Sequence, residues 1–442
     1  MHIQLSDHFT YGKLLRFTIP SIVMVIFTSV YSVVDGIFVA HYVGATPFAA
    51  VNIVWPFIMI LGAIGFMLGS GGSALVAKTL GEGHKVKAKR IFSLLIYTNI
   101  GLGFLLGMLG LAFVPFIIRQ FGVEGELYGY CLNYARILLP AVPALMLQVI
   151  FQSFTVAAEK PRLGLYITLI SGVANFGLDA LFIIFWKWGL SGAAWATAAS
   201  QIIGAGIPLI YFVFPNKSLL RLGRTRFYAR ALIKACTNGA SEFLSSISMS
   251  VVCMLYNYQL MRLVGESGVI AYGIISYVNF IFLAAFLGYG VGSNPIVSYH
   301  YGAGNRDELR NLFGKSMRLI AFTGVVITLA AEATAMQIAQ IFVGYDAWLT
   351  EMTARGFKIY ALSFLLAGFN IYASALFTAL NNGLVSAVIS FCRTMVFECL
   401  CVVLLPVFWG LNGIWTAIIV AEILAAGVSF GFILSLRPKY GY

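Results

Sequence analysis

Twelve long apolar runs dominate this chain, and each is long enough to cross a bilayer at roughly 20 residues per span. They read at about 14 to 40, 47 to 77, 91 to 118, 127 to 157, 164 to 185, 190 to 214, 232 to 261, 268 to 299, 315 to 342, 354 to 380, 384 to 408 and 411 to 435. Glycine, proline, asparagine or clustered charge separates neighbouring runs, so each reads as a helix held between breakers. Of the 442 residues 60% are apolar and 10% charged, whereas a water-exposed fold carries about 25% charge. The connections leave no stretch for a soluble domain. An all-α polytopic membrane protein follows. The first run, Leu14 to Ala40, is too long for a removable leader and ends in no small-residue cleavage site, so it is expected to stay as helix one. The 6 cysteines lie in or beside apolar runs without paired CxxC spacing, which argues against disulfides and zinc.

A net charge of +12 would suit nucleic acid, but the basic residues fall on alternate connections. Lys13 and Arg16; Lys78, Lys85, Lys87, Lys89 and Arg90; Lys160 and Arg162; Lys217, Arg221, Arg224, Arg226, Arg230 and Lys234; Arg306, Arg310, Lys315 and Arg318; and Arg437 and Lys439 all fall on one side. Arg119, Lys187, Arg262, Arg355 and Lys358 fall on the other, and Arg136 and Arg393 lie inside runs. Basic loops resist translocation, so both termini are expected in the cytoplasm. The basic loops then serve topology and anionic headgroups, with no nucleic-acid partner.

An internal repeat with an offset of 221 residues organises the whole chain. Val43-Gly44 recurs as Val264-Gly265, Gly69 and Gly71 as Gly290 and Gly292, Gly81 and Gly83 as Gly302 and Gly304, and Gly189-Leu190-x-Gly192 as Gly410-Leu411-x-Gly413. The offset carries the chain through an even number of spans, so both halves enter the membrane in the same sense, related by an axis along its normal. Residues 1–214 form the expected first six-helix lobe, 215–230 a cytoplasmic linker and 231–442 the second lobe. Two like-oriented bundles enclose a cleft suited to alternating access.

Six acids fall inside these spans: Asp35, Asp179, Glu242, Glu332, Glu398 and Glu422. A carboxylate at a helix centre costs about 2.5 to 3.5 kcal/mol on insertion scales, so each is an ion- or proton-handling candidate unless it pairs with a base such as Arg136 or Arg393. Asn175 and Asp179, four residues apart, share a helical face. Thr197 sits near a small-residue stripe, Gly192, Ala196 and Ser200, that permits close packing. Asp35 in span one is the fourth member. Oxygen ligands suit a small hard cation, and two carboxylates in a dry pocket equally suit a proton. At the positions 221 residues on stand Tyr256, Val396, Leu400 and Ile418, so the second half is expected to lack this cluster. Glu242, whose counterpart is Ser21, lies on a hydroxyl-rich helix and is a candidate contact for a cationic substrate. Glu332, Glu398 and Glu422 are expected in helix-pair contacts.

These residues resemble the MATE (multidrug and toxic compound extrusion) family over essentially the full chain. The resemblance rests on the two six-helix halves, the spacing of Pro20 and Asp35, the pair Asn175 and Asp179, Thr197 and the Gly-x-Gly turns; the wording around Asn238 to Glu242 and Tyr299 to Gly304 is similar to bacterial MepA-like members. It implies that Asp35, Asn175, Asp179 and Thr197 seat the coupling cation, Na⁺ or H⁺, that Tyr134 joins their network, and that Pro20 marks a helix that bends. It also implies export of bulky organic cations in exchange for that ion.

Elsewhere the signals are weaker. The Gly69 to Gly72 run has no strand before it, so helix packing is the better reading than nucleotide binding. His41 and His300 are isolated near span ends. The abundant aromatics divide between interfacial anchors and a pocket for flat cations. The expectation is a multi-pass antiporter of a bacterial inner membrane, without an enzyme's covalent chemistry or a cofactor beyond the coupling ion, acting as a monomer on cationic drugs or dyes. The rival is a lipid-linked-precursor flippase of the same superfamily, which should place cationic residues in the cleft.

Overall fold

Helix after helix runs the length of a bilayer in the computed structural model, which describes residues 3–120, 124–216 and 218–442. Lys217, assigned above to the basic linker, lies outside the described residues. In the first half, α1 (Tyr11–Tyr42), α2 (Ala45–Gly81) and α3 (Lys85–Gln120) are unbroken. Span four is divided into α4 (Gly125–Leu138) and α5 (Val142–Ala157) by a single 3-10 turn, Leu139–Ala141, because Pro140 and Pro143 each withhold a backbone donor. Span five is α6 (Pro161–Asp179), prolonged by a π-helical stretch, Ala180–Phe185, and span six is α7 (Gly189–Val213).

The second half repeats the plan with α8 (Ala229–Leu263), α9 (Glu266–Gly302), α10 (Arg306–Val343), α11 (Ala347–Ala361), α12 (Phe364–Ala379), α13 (Gly383–Phe391), a π-helical stretch (Cys392–Glu398) and α14 (Cys399–Tyr440). Ten helices among the described residues are individually long and apolar enough to cross a membrane. Two observations reconcile that number with twelve spans. The pair α11 and α12 is one span bent by 48°, and the 58-residue stretch Gly383–Tyr440 reverses inside α14 at Gly410, where φ is 55° and ψ −133°. Only glycine adopts such a conformation readily. Its counterpart Gly189 has φ 57°, so the repeat holds at the level of single backbone torsions.

The halves meet at the end of the bundle that carries the basic connections. There α2 lies against α8 and α9, and α1 against α9. A Cβ on Gly71 would strike the backbone of Ala235 and Gly239, and one on Gly81 would strike the Tyr299 carbonyl. The repeat duplicates both contacts: a Cβ on Gly292 would lie 3.1 Å from Thr18, and one on Gly302 would strike the Lys78 carbonyl. Glycine lets the helix backbones touch, which closes this end by a two-fold-related seal.

Two non-helical segments reinforce the closure. Residues 3–10 bury Leu5 and Phe9 completely. The Leu5 amide donates to Glu159 Oε1 of the first half at 2.6 Å, while the Phe9 amide donates to Glu308 Oε1 of α10 at 2.9 Å. Lys315 Nζ then donates to the Phe9 carbonyl at 2.7 Å. The segment between α7 and α8 is laid across α3: the Gly223 amide donates to Ser93 Oγ at 3.1 Å and Thr225 Oγ1 to the Arg90 carbonyl at 2.8 Å.

Candidate functional site

Four of the polar residues singled out in the first half converge because two helix pairs are spaced by glycine. Along α1 and α6, Gly164 faces Met24 and Gly172 faces Phe27, with a Cβ on Gly172 only 2.5 Å from the Phe27 ring. Both contacts advance in the same direction, so the helices run parallel, and two turns further on Asp179 comes abreast of Asp35. Their side chains lie within hydrogen-bonding reach of each other. Along α6 and α7 the pairing is antiparallel. Ser171 Oγ donates to the Ser200 carbonyl at 2.7 Å, and a Cβ on Gly192 would lie 3.1 Å from the Phe182 backbone. One turn beyond Ser171 is Asn175, and one turn back from Ser200 is Thr197, so these two share a level between the contacts.

At this level Asp179 is 2% exposed, Asn175 3% and Thr197 7%, while Asp35 is half-buried with its Oδ1 shielded from solvent. Yet Asp35 Oδ1, Asp179 Oδ1, Asn175 Nδ2 and Thr197 Oγ1 are all buried with no hydrogen-bond partner. Buried polar atoms are paired as a rule, so four orphans in one place need a reason. Ionised carboxylates only accept hydrogen bonds. Asp35 and Asp179 can therefore join only through a proton held between them or a cation seated against both. Three of the four atoms are oxygens, the set a hard cation prefers, and the fourth, Asn175 Nδ2, is a hydrogen-bond donor.

Tyr134, buried in α4, stands in electrostatic reach of both aspartates, placed by its neighbour Asn133, whose Nδ2 donates to Ser191 Oγ of α7 at 2.8 Å. Tyr31, one turn before Asp35, also feels that carboxylate. Sequence reasoning passed over Tyr31, although its four-residue spacing from Asp35 marks it as a same-face neighbour. It also passed over Gln148, whose Nε2 donates to Ser171 Oγ at 3.1 Å and fixes the floor beneath the site.

Pro20 and Glu242 lie elsewhere. Pro20 is buried inside α1, which runs through it without interruption. Glu242 is half-buried on α8 at the depth of its counterpart Ser21, 14 residues short of the Asp35 level, or about 20 Å along a helix. It belongs to the closed end, three residues past Gly239. Arg136 is exposed and has no carboxylate partner among the described residues.

The second half lacks the first half's cluster, as expected. Tyr256, Val396, Leu400 and Ile418 do replace the four polar residues, but another polar cluster stands beside them. Arg393 donates to Glu422 Oε1 through Nε at 2.8 Å and Nη2 at 2.6 Å. Asn370 Nδ2 donates to Glu422 Oε2 at 2.6 Å, and Ser429 Oγ donates to Asn370 Oδ1 at 2.9 Å. Glu422 is thus in a helix-pair contact, whereas Glu398, 7% exposed, is not hydrogen-bonded to any described residue.

The MatE family model matches twice, over residues 20–181 and 243–404. The multidrug export protein MepA of Staphylococcus saprophyticus is 23% identical over 96% of this chain and 94% of its own. MATE in the straight conformation superimposes with a TM-score of 0.93 at 20% identity, covering 98% of this chain and 97% of that one. The outward-facing conformation of a multidrug resistance MATE family transporter of the MOP superfamily gives 0.91 at 21% identity, over 97% and 96%.

Proposed function

Because the chain belongs to the MatE family, we propose that it is a multidrug efflux antiporter, exporting organic cations from the cytoplasm in exchange for Na⁺ or H⁺. It lies in the plasma membrane with both termini and the sealed basic end inside, and residues 1–214 and 231–442 rock against each other about the seal. No cofactor or covalent step enters. Export in the MepA relatives supports the substrate class.

One observation carries the coupling: the buried carboxylate of Asp179 and the half-buried one of Asp35 meet without a donor between them. In a low-dielectric interior their repulsion is relieved by one positive charge. A proton bridges them, or Na⁺ sits against Asp35 Oδ1, Asp179 Oδ1 and Thr197 Oγ1. Asp35 rides on α1 and Asp179 on α6, so the ion draws α1 toward α6. Pro20 lacks a backbone donor, which makes it the point where α1 yields. Differential ion affinity between the straight and yielded forms then moves the equilibrium.

The flippase reading finds less support. Arg393 spends its charge on Glu422, which leaves Arg136, exposed on α4, as the one intraspan guanidinium of the pair still open to an anionic lipid.

Counterflow of a cationic dye in proteoliposomes, with Na⁺ and pH gradients imposed separately, tests the proposal. Uptake against one gradient or both is expected, with loss in Asp35→Asn and Asp179→Asn. Gradient-driven transport persisting at wild-type rate in both variants would overturn it.

A further inference from the structure

The second half holds a buried carboxylate with no hydrogen-bond or ion-pair partner among the described residues. Glu398 closes the π-helical stretch Cys392–Glu398, which packs against α14 and α8. It is 7% exposed. Five residues earlier on the same stretch, Arg393 is fully engaged by Glu422, 2.6 Å away, and Glu422 is further satisfied by Asn370. Arg393 and Glu422 therefore cancel. One negative charge, that of Glu398, is left over inside the membrane-spanning region, where an uncompensated carboxylate is expensive.

The surroundings of Glu398 favour a proton over a metal ion. Tyr256 of α8, Tyr272 of α9 and Tyr360 of α11 lie in its electrostatic field, and all are at least nine-tenths buried. The Tyr256 hydroxyl is fully buried without a hydrogen-bond partner, and its ring stacks on Tyr272 at 4.3 Å. On its own stretch the other titratable groups are Cys392 and Arg393; Cys399 and Cys401 follow on α14, Glu422 faces it from the last span, and Cys253 of α8 adjoins Tyr272. The oxygen donors that would suit a cation, Asn370 and Glu422, are already spent. What remains is one carboxylate and phenol hydroxyls, which can give or take a hydrogen bond as the proton comes and goes.

Tyr256 is also the repeat counterpart of Asp35, and Glu398 lies two residues before the counterpart of Asp179. In both halves the acid adjoins a π-helical turn, an element frequent where helices serve function. We propose that Glu398, with the Tyr256 hydroxyl, is a second proton seat, so that each half of the transporter carries its own titrating acid. When Glu398 loses its proton, Arg393 is drawn between two carboxylates; when it regains one, the pair with Glu422 stands alone. This assignment builds on the antiport reading, but its test does not need transport.

Infrared difference spectra of the purified protein, recorded while pH is stepped through the neutral range, report protonated carboxyl groups directly. In an Asp35→Asn/Asp179→Asn background one carboxyl band is expected to titrate reversibly. It should vanish in the further variant Glu398→Gln, with about one proton fewer taken up per chain, and its midpoint should be displaced by Tyr256→Phe, which keeps the ring and removes only the hydroxyl. An unchanged band and proton count in Glu398→Gln, or no titrating band in a Tyr256→Phe protein that remains folded, would overturn the assignment. Failure of dye counterflow alone would instead count against the first-half site.

Discussion

The two halves of this chain share a backbone plan down to the torsion of Gly189 and Gly410, yet their buried polar clusters are built on opposite principles. Around Asp35 and Asp179 the polar atoms lack partners. Around Glu422 nearly every lone pair is taken, by Arg393, Asn370 and, through Asn370, Ser429. A satisfied network rigidifies its helices, whereas buried polar atoms without partners carry a standing cost. The two halves thus share one scaffold on which the side chains differ: one half leaves polar atoms unpaired, the other builds a fixed strut with Glu398 in its field.

Truncation should separate the two clusters most sharply. Arg393→Ala leaves Glu422 charged, buried and without its guanidinium, and is expected to destabilise the protein by about 3 to 5 kcal/mol. Asp179→Asn removes a buried charge that had no donor, so thermal unfolding in detergent should begin at the same temperature or higher while transport is lost. Equal destabilisation by both changes would erase the distinction. A smaller effect is expected at the seal. Gly71→Ala drives a methyl group into the Ala235 and Gly239 backbone and should disfavour the closed basic end by about 1 to 3 kcal/mol; spin-label distances between α2 and α8 would lengthen. Thr197→Val keeps the shape and removes one oxygen. A loss of about 0.5 to 1.5 kcal/mol in ion binding, read as a shifted Na⁺ or H⁺ dependence of dye efflux, would sharpen the ligand set, and no shift would remove Thr197 from it. The weakest change is Glu308→Gln, which blunts the bond to His8 and should lower stability by less than about 1 kcal/mol, detectable as faster proteolysis near the amino terminus.

Much of this is legible in the sequence. The apolar runs and the glycine repeat determine the spans, and the four-residue spacing of Asn175 and Asp179 places both on one face. Span ten was legible only as a run, because the bend between α11 and α12 falls at Leu362 and Ser363, which carry no glycine or proline. The partnership of Arg393 and Glu422 was not legible either. They are 29 residues apart, on helices whose relative rotation follows from packing at Gly413 and the turn at Gly410, and nothing in the local spacing names one as the other's mate. Glu398 and Glu422 look alike in sequence; only the position of one guanidinium tells them apart. The buried amino-terminal segment was hidden for a different reason, since eight residues without a helical period give no signal of where they dock.

In the proposed antiport cycle, that segment is expected to set the tempo. Leu5 and Phe9 are wedged where the two halves converge, held by backbone amides to Glu159 on one side and Glu308 on the other. Parting the halves at this end first requires a short peptide to let go of one bank, and closing them again requires it to find its slot. The chain thus carries its own doorstop, and the pace at which that leash comes free is expected to cap turnover however fast the helices tilt.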